Sequence, residues 1–217
     1  MEFRKAEQAD FEQIWEIISF AKETRKNEGS TQWQDGYPNE ETIQNDIQKG
    51  YGFVFEEEGA VNLYAAIIFD KEPAYEELKN WEGQGDYLTL HRIAVSKEAK
   101  GKGLGQKVLQ EAEKLAKEKG IESIRIDTNF DNIPMLKIIE KEGYKYRGEV
   151  YFRGSARKAF EKILKENPIP LHQSKQRQKE ILEDIEKRLE QNDYYKGLST
   201  EKKREYLSAL LFPYPLE

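Results

Sequence analysis

Residues 89–109 read TLHRIAVSKEAKGKGLGQKVL, and the fold turns on how that run is parsed. Its first third is apolar and rich in β-branched residues, the composition of a buried strand. Its end opens a pattern in which Leu104, Val108, Ala112 and Leu115 recur at helical spacing. Between the two lie Gly101, Gly103 and Gly105, with Lys100 and Lys102 interleaved. Glycine admits positive φ and close approach of backbone to a ligand. The first turn of a helix adds unpaired N–H groups at the positive end of its dipole. The run reads as strand, anion-holding turn, helix. A tight turn with no ligand is the plainer alternative, but three glycines and two lysines exceed what a turn needs.

Two nucleotide motifs fail on spacing. A P-loop requires G-x-x-x-x-G-K-[ST], and no serine or threonine follows these glycines in place. A dinucleotide fingerprint, G-x-G-x-x-G, would need glycine where Gln106 stands. A pyrophosphate held by backbone amides remains compatible with the donor array.

Downstream, Gly120 closes the helix and IESIRIDT (121–128) reads as a second strand. A strand–helix–strand unit with short links predicts parallel strands with a right-handed crossover. A short helix over 132–143 ends at Gly143, and YKYRGEVYFRG (144–154) reads as a final strand or hairpin. Upstream, EFRKAE reads as a short strand, and Asp10 as the N-cap of a helix carrying Phe11, Ile14, Trp15, Ile18 and Ala21 on one face. Residues 39–50 suit a second helix closed by Gly50. Residues 51–69 suit a hairpin turning at Glu58-Gly59, and a single helical turn is expected after Pro73. The result is an α/β (α+β) domain over residues 1–165. Residues 166–217 read as a helical extension, with Ile181, Ile185 and Leu189 on one stripe and a second helix stopped by Pro213. Docking onto the parent domain or a homodimer contact is expected of it.

The 217 residues are 37% hydrophobic and 35% charged, enough for one core with an appendage. The absence of cysteine excludes thiolate chemistry, and only two histidines, His91 and His172, argue against a metal site. A net charge of −6 disfavours nucleic acid as partner. No apolar run reaches the roughly 18 residues of a membrane span. The opening MEFRKAEQAD lacks a signal peptide's apolar core, so a cytoplasmic location is expected.

With these elements in order, Lys100-Gly101-Lys102-Gly103-Leu104-Gly105 resembles the acetyl-CoA signature of the GNAT superfamily of N-acetyltransferases, [QR]-x-x-G-x-[GA]. Lys100 stands where that family mostly has arginine or glutamine. HRIAV (91–95) resembles the family's fourth strand, and DNIPMLKIIEKEGYKYRGEV (131–150) its next motif, with the glycine–aromatic pair Gly143-Tyr144. The resemblance spans residues 1–165. It implies a GNAT-like mixed, mostly antiparallel sheet with a splayed central parallel pair, flanked by helices. It also implies acetyl-CoA as donor and direct attack by an amine. Backbone groups of Ile93, Ala94 and Val95 would hold the pantetheine arm. The amides of Lys100, Gly101, Lys102, Gly103, Leu104, Gly105 and Gln106 would hold the pyrophosphate. Asn132 would contact the pantetheine, and Met135 would lie near the acyl group. The family's usual acid is a tyrosine seven residues beyond that asparagine; here the position is Ile139.

Catalytic roles are therefore reassigned. His91, expected on the same strand face as Thr89 and Ile93, suits a general base with its reference pKa of about 6.5; the alternative is a satisfied sheet histidine. Asp127 or Asp131 suits a proton relay, although Asp131-Asn132 also reads as a helix cap. Tyr146 or Tyr151 suits an acid, against the plainer reading of strand aromatics. Trp33 and Tyr37, in TQWQDGYP (31–38), form either an aromatic wall for the acceptor or a lock for their loop. The expected function is transfer of acetyl from acetyl-CoA to a primary amine of a small molecule. The alternatives are a protein or peptide N-acetyltransferase and a non-catalytic acyl-CoA-binding module. An enzyme acting on charged tRNA would want a basic face.

Overall fold

The structure is a computed structural model and describes residues 1–164 together with Ser199, Lys202 and Lys203. The chain divides into two units, Met1–Lys165 and Glu166–Glu217. The expected helical pair of the second unit, and its docking or dimer face, lie outside the described residues. Among the described residues no helix is long and apolar enough to cross a membrane.

The elements run β1 (Glu2–Lys5), α1 (Phe11–Asn27), α2 (Glu40–Gln48), β2 (Gly52–Glu57), β3 (Ala60–Ile68), α3 (Pro73–Glu76), β4 (Tyr87–Val95), α4 (Leu104–Glu118), β5 (Ser123–Thr128), α5 (Ile133–Lys141), β6 (Lys145–Phe152) and β7 (Ser155–Ile163). They build one seven-stranded sheet in the order β1-β2-β3-β4-β5-β7-β6. Only β4 and β5 are parallel, as a crossover through α4 requires; every other neighbour is antiparallel. This is the mixed, mostly antiparallel sheet expected from the sequence.

Both faces of the sheet are covered. Leu104, Val108, Ala112 and Ala116 of α4 and Ile139 of α5 pack on Leu63, Leu88, Leu90, Ile124 and Ile126. On the other face Ile14, Ile17 and Ile18 of α1 and Ile43 of α2 pack on Val54, Tyr64 and Ala94. Each such buried aliphatic side chain contributes roughly 1.5–3 kcal/mol. A third cluster, with Tyr75, Trp81 and Tyr87 beside Val150 and Ala159, lies at the β7 side.

Two sequence expectations are corrected here. Asp10 precedes α1 but makes no capping bond to it. Its carboxylate instead takes both arms of Arg4, at 2.7 and 2.8 Å, and the Glu7 N–H at 2.8 Å. A bidentate guanidinium outcompetes a lone helix amide. The second correction is β7. Its sequence, SARKAFEKI, alternates weakly because Arg157 and Glu161 place charge at largely buried positions, yet it inserts between β5 and β6.

The decisive irregularity is in β4. Pairing with β5 covers Tyr87–Leu90 against Ser123–Ile126 and stops there. Beyond it, β4 keeps only β3 as neighbour, with a register shift between Tyr64 and Ala66. Arg92 occupies that shift at φ 54°, a left-handed conformation rare for a non-glycine residue. Such a bulge bends a strand and flips the residues after it to the other face. Ile93 and Val95 consequently join Leu88 and Leu90 on the α4 face, while Ala94 joins the α1 face. His91 and Ile93 therefore do not share a face as simple alternation predicts.

Candidate active site

Where β4 leaves β5, a cavity of about 250 Å³ opens. Its floor is the free edge of β4, Leu90–Val95, with Ile126 to Thr128 opposite. The start of α5 supplies Asn132, Pro134 and Met135, and the second half of α1 supplies Phe20, Thr24 and Arg25. Trp33 and Tyr37 close one side. Their loop is tied to α1, where Lys22 Nζ donates to the Pro38 carbonyl (2.8 Å) and Gln34 Nε2 donates to the Lys22 carbonyl (3.0 Å). Both aromatics also pack against the α1 core. The two alternatives for them are thus one arrangement: the rings lock the loop and line the cavity.

His91 borders the cavity with Asp127. Its Nδ1 lies 3.6 Å from Asp127 Oδ1, and its Nε2 lies 3.3 Å from Glu72 Oε2. The ring is enclosed by Tyr75 and Phe152, with centroids at 6.2 and 6.0 Å. Asp127 also accepts from Tyr75 Oη at 2.8 Å and faces Arg157 Nη1 at 3.5 Å. Burial raises the Tyr75 phenol well above its ordinary value, and the Asp127 charge adds to it. Burial alone would raise the Glu72 carboxyl, but the facing imidazole and the Ala74 N–H outweigh it, so the group sits below the usual carboxylate range. An imidazole between two carboxylates has an acceptor for a proton beside each of its nitrogens.

The bulge serves this site directly. In its left-handed conformation Arg92 reaches the α2 side, where Nε and Nη2 donate to the two Asp46 oxygens at 2.7 Å each. Its Nη1 donates to Tyr37 Oη, and Asp46 also accepts from Tyr64 Oη at 2.6 Å. The paired charge raises the Arg92 guanidinium further above its usual range despite burial. One wall of the cavity is thereby anchored to α2.

The glycine turn follows directly on Lys100, which lines the cavity. Gly101 and Gly103 have φ of 82° and 78°, and Gly103 is the residue before α4. The Lys102 N–H closes onto the Ala99 carbonyl and the Gln106 N–H onto the Gly103 carbonyl. Those two amides are therefore committed within the turn, contrary to the expected seven-amide cradle. The N–H groups of Gly101, Gly103, Leu104 and Gly105 have no partner among the described residues. A Cβ at Gly101 or Gly103 would meet nothing within 4 Å, so the space before these amides is open. Gly105 differs: a Cβ there would lie 3.1 Å from Ile138 Cδ1, so it sets the α4–α5 approach. The Gln106 side chain turns away to Glu142 and Lys141, and that of Leu104 is buried. Lys100 lines the cavity. A pyrophosphate fits the open donor set.

The remaining expected residues separate. Ile93, Ala94 and Val95 lie on the free edge, and Asn132 and Met135 line the cavity. Asn132 already caps α5 by accepting from the Met135 N–H, and donates to Gln32 Oε1 at 3.1 Å. Asp131 is held by Arg25 at 2.7 Å. Tyr146 is a correction: it is 53% exposed, lies on the edge strand β6 against Phe160, and does not border the cavity. Ile139, in the position of the expected tyrosine, is fully buried in the core. Sequence reasoning passed over Glu72, Arg92 and Arg157. Only Glu72 had a local signal, an acid immediately before the Pro73 helix start.

Comparison with known proteins agrees with this fold. Residues 11–144 match the model of the Acetyltransferase (GNAT) family. An acetyltransferase of the GNAT family from Streptococcus agalactiae superposes with a TM-score of 0.69 at 37% identity, over 76% of this chain and 96% of that one. A curated relative, the uncharacterized N-acetyltransferase YesJ of Bacillus subtilis, is 29% identical over 64% of this chain and 78% of its own length. The structure of yncA from Salmonella typhimurium with its cofactor acetyl-CoA shares the fold, with a TM-score of 0.55 at 18% identity over 78% of this chain and 96% of that one.

Proposed function

The chain belongs to the acetyltransferase (GNAT) family, an acyltransferase family whose donor is acetyl-CoA, and we propose that it acetylates a primary amine of a small molecule. The observation that carries this reading is that His91 and Asp127 border the same cavity as the free edge of β4, beside the open amide turn.

The donor supplies an acetyl thioester. The amides of Gly101, Gly103, Leu104 and Gly105, with Lys100 nearby, are suited to its pyrophosphate, and the free edge at Ile93–Val95 to its pantetheine arm. An alkylamine is mostly protonated at neutral pH, with a pKa of about 10.4 for the lysine analogue. His91, lying between Asp127 and Glu72, takes the proton that must leave before the nitrogen lone pair can attack. A backbone N–H at Ile93–Val95 suits the developing oxyanion. Ile139 offers no acid. A thiol with a pKa of about 8.5, the value for cysteine, leaves as thiolate at modest cost, so an obligatory acid is not required.

The walls favour a small acceptor over a polypeptide. Trp33, Tyr37 and Phe20 enclose the amine end of the cavity, and Arg25, tied to Asp131, bridges α1 to the loop before α5. Thiol release measured with acetyl-CoA and parallel panels of small amines and peptides tests this. Turnover with small amines is expected; turnover confined to peptides would replace the acceptor class. Acetyl-CoA binding without turnover of any amine would reduce the protein to an acyl-CoA-binding module.

A further inference from the structure

The reaction as derived leaves one carboxylate unused. Glu72 closes the β3–β4 connection at the start of α3 and does not border the cavity. Its Oε1 accepts from the Ala74 N–H at 3.3 Å, which fixes the side chain, and its Oε2 lies 3.3 Å from His91 Nε2. That nitrogen is shut off from water and makes no aligned hydrogen bond, so Glu72 is the carboxylate within its reach. Side-chain exposure climbs along the series, from 1% at Asp127 through 11% at His91 to 21% at Glu72. The series starts at the cavity wall and ends at solvent.

We infer that Glu72 is the exit for the acceptor's proton: His91 receives it at the cavity edge and hands its Nε2 proton to Glu72, which releases it to water. This rests on the reading of His91 as base. In bonds, an N–H of the acceptor ammonium breaks and Nδ1–H forms. Nε2–H then breaks and an O–H forms on Glu72, so imidazole returns neutral with its tautomer exchanged. Water takes the Glu72 proton, and ring rotation or a second exchange restores the starting tautomer.

The neighbours of the two groups are consistent with this direction. The His91 ring is faced by Tyr75 from α3, Asp127 from β5 and Phe152 from β6, with Arg157 of β7 beyond Asp127. Glu72 is faced by His91, with the Arg92 charge farther off on the same strand and Tyr87 Oη accepting from the Glu72 backbone N–H. Asp127 is already engaged by Tyr75 Oη at 2.8 Å and Arg157 Nη1 at 3.5 Å, whereas among the described residues Glu72 Oε2 has only His91 before it. A carboxyl held below its usual range, as Glu72 is, keeps a proton only transiently. Glu72 is thus a positioning and relay residue acting through His91.

Glu72→Gln retains the side-chain shape and an oxygen for the Ala74 N–H but cannot carry the proton. In steady-state assays across pH, its kcat is expected to fall roughly tenfold, less than the loss of about 10²–10⁴ for removal of a direct general base. The acetyl-CoA KM should stay unchanged. Its kcat should rise with the concentration of a small neutral buffer such as imidazole, a dependence the parent enzyme lacks. A wild-type kcat and pH profile in Glu72→Gln, or a deficit that buffer does not move, overturns the exit route. His91→Gln separates the two readings: if it is inactive while Glu72→Gln is normal, the base stands and the exit fails. If His91→Gln is fully active, the base reading itself fails.

Discussion

Two buried charge clusters sit two residues apart on the same face of β5. Around Arg125 the network is closed but for Arg147 Nε, which is ion-paired to Glu161 without an aligned hydrogen bond. Glu161, fully buried, accepts from Arg125 Nε at 3.0 Å, the Glu82 N–H at 2.8 Å and Ser123 Oγ at 3.2 Å, with Arg147 Nε at 3.1 Å. Arg125 also donates to the Gly83 carbonyl and lies against Tyr87 and Trp81, 3.9 and 4.3 Å from their centroids. Around Asp127 the network is slack. Only the Tyr75 bond, at 2.8 Å, is short; the His91 and Arg157 contacts are 3.6 and 3.5 Å. Arg157 Nε and His91 Nε2 have no aligned partner. A saturated buried network resists change because any broken bond strands a charge. A slack one has protonation states and geometries still open to it. The first holds the sheet, and the second is available for chemistry.

Exchanging the two phenotypes would break this contrast. His91→Ala is expected to lower kcat/KM by about 10²–10⁴, a barrier change of roughly 3–5 kcal/mol, with little change in melting temperature. Full activity across pH would end its assignment as base. Glu161→Gln should do the reverse, costing about 3–5 kcal/mol of stability by leaving two arginines short of an anion. Denaturant midpoints would show the loss, while activity per folded molecule stays near the parent value. If Glu161→Gln abolished turnover without destabilising, the two clusters would not be separable.

The glycine turn offers the same contrast at smaller scale. Gly103→Ala meets open space but must hold a left-handed backbone, at about 1–2 kcal/mol. Acetyl-CoA affinity measured by calorimetry should fall up to tenfold, with Gly103→Asn recovering part of it. Gly105→Ala instead presses on Ile138, so its effect should be read in melting temperature.

The smallest effect concerns another saturated pair, Arg4 with Asp10. The Arg4 bonds hold the Asp10 carboxyl below its ordinary value, outweighing burial. A depressed carboxylate stabilises the fold above its unfolded pKa of about 3.9, and that contribution is lost as pH falls through the lower folded value. Asp10→Asn should therefore cost about 1–2 kcal/mol at pH 7. Urea midpoints should converge with the parent's as pH drops below about 4.

What the sequence disclosed follows the range of the forces involved. The β4–α4–β5 unit was legible because apolar spacing and glycine punctuation are local and have few physical meanings. Gly50, Gly103, Gly120 and Gly143 each occupy positive φ at a helix boundary, where a side chain would be strained. The cavity's charged partners were not legible. Arg92 meets Asp46 across 46 positions, and His91 meets Asp127 through a parallel crossover. Nothing in the string HRIAV announces that its arginine adopts a left-handed conformation. Tyr146 was misplaced for a related reason: without β7 between them, β6 would lie beside β5 and nearer the cavity.

That arginine has a further consequence. A strand normally has one reading frame, odd residues to one side and even to the other. β4 has two, and Arg92 is the insertion that shifts between them. Upstream the frame is shared with β5 and β3; downstream, among the described residues, it is set by β3 alone. Deleting Arg92 would merge the frames into one, leaving Ile93 and Val95 toward α4 and Ala94 toward α1 but removing the bend that the extra residue puts into the strand. The substitution Arg92→Ala would lose an ion pair but keep the count. The deletion should therefore straighten the strand where it parts from β5, which the replacement would not, because in this strand the number of residues carries information that their chemistry does not.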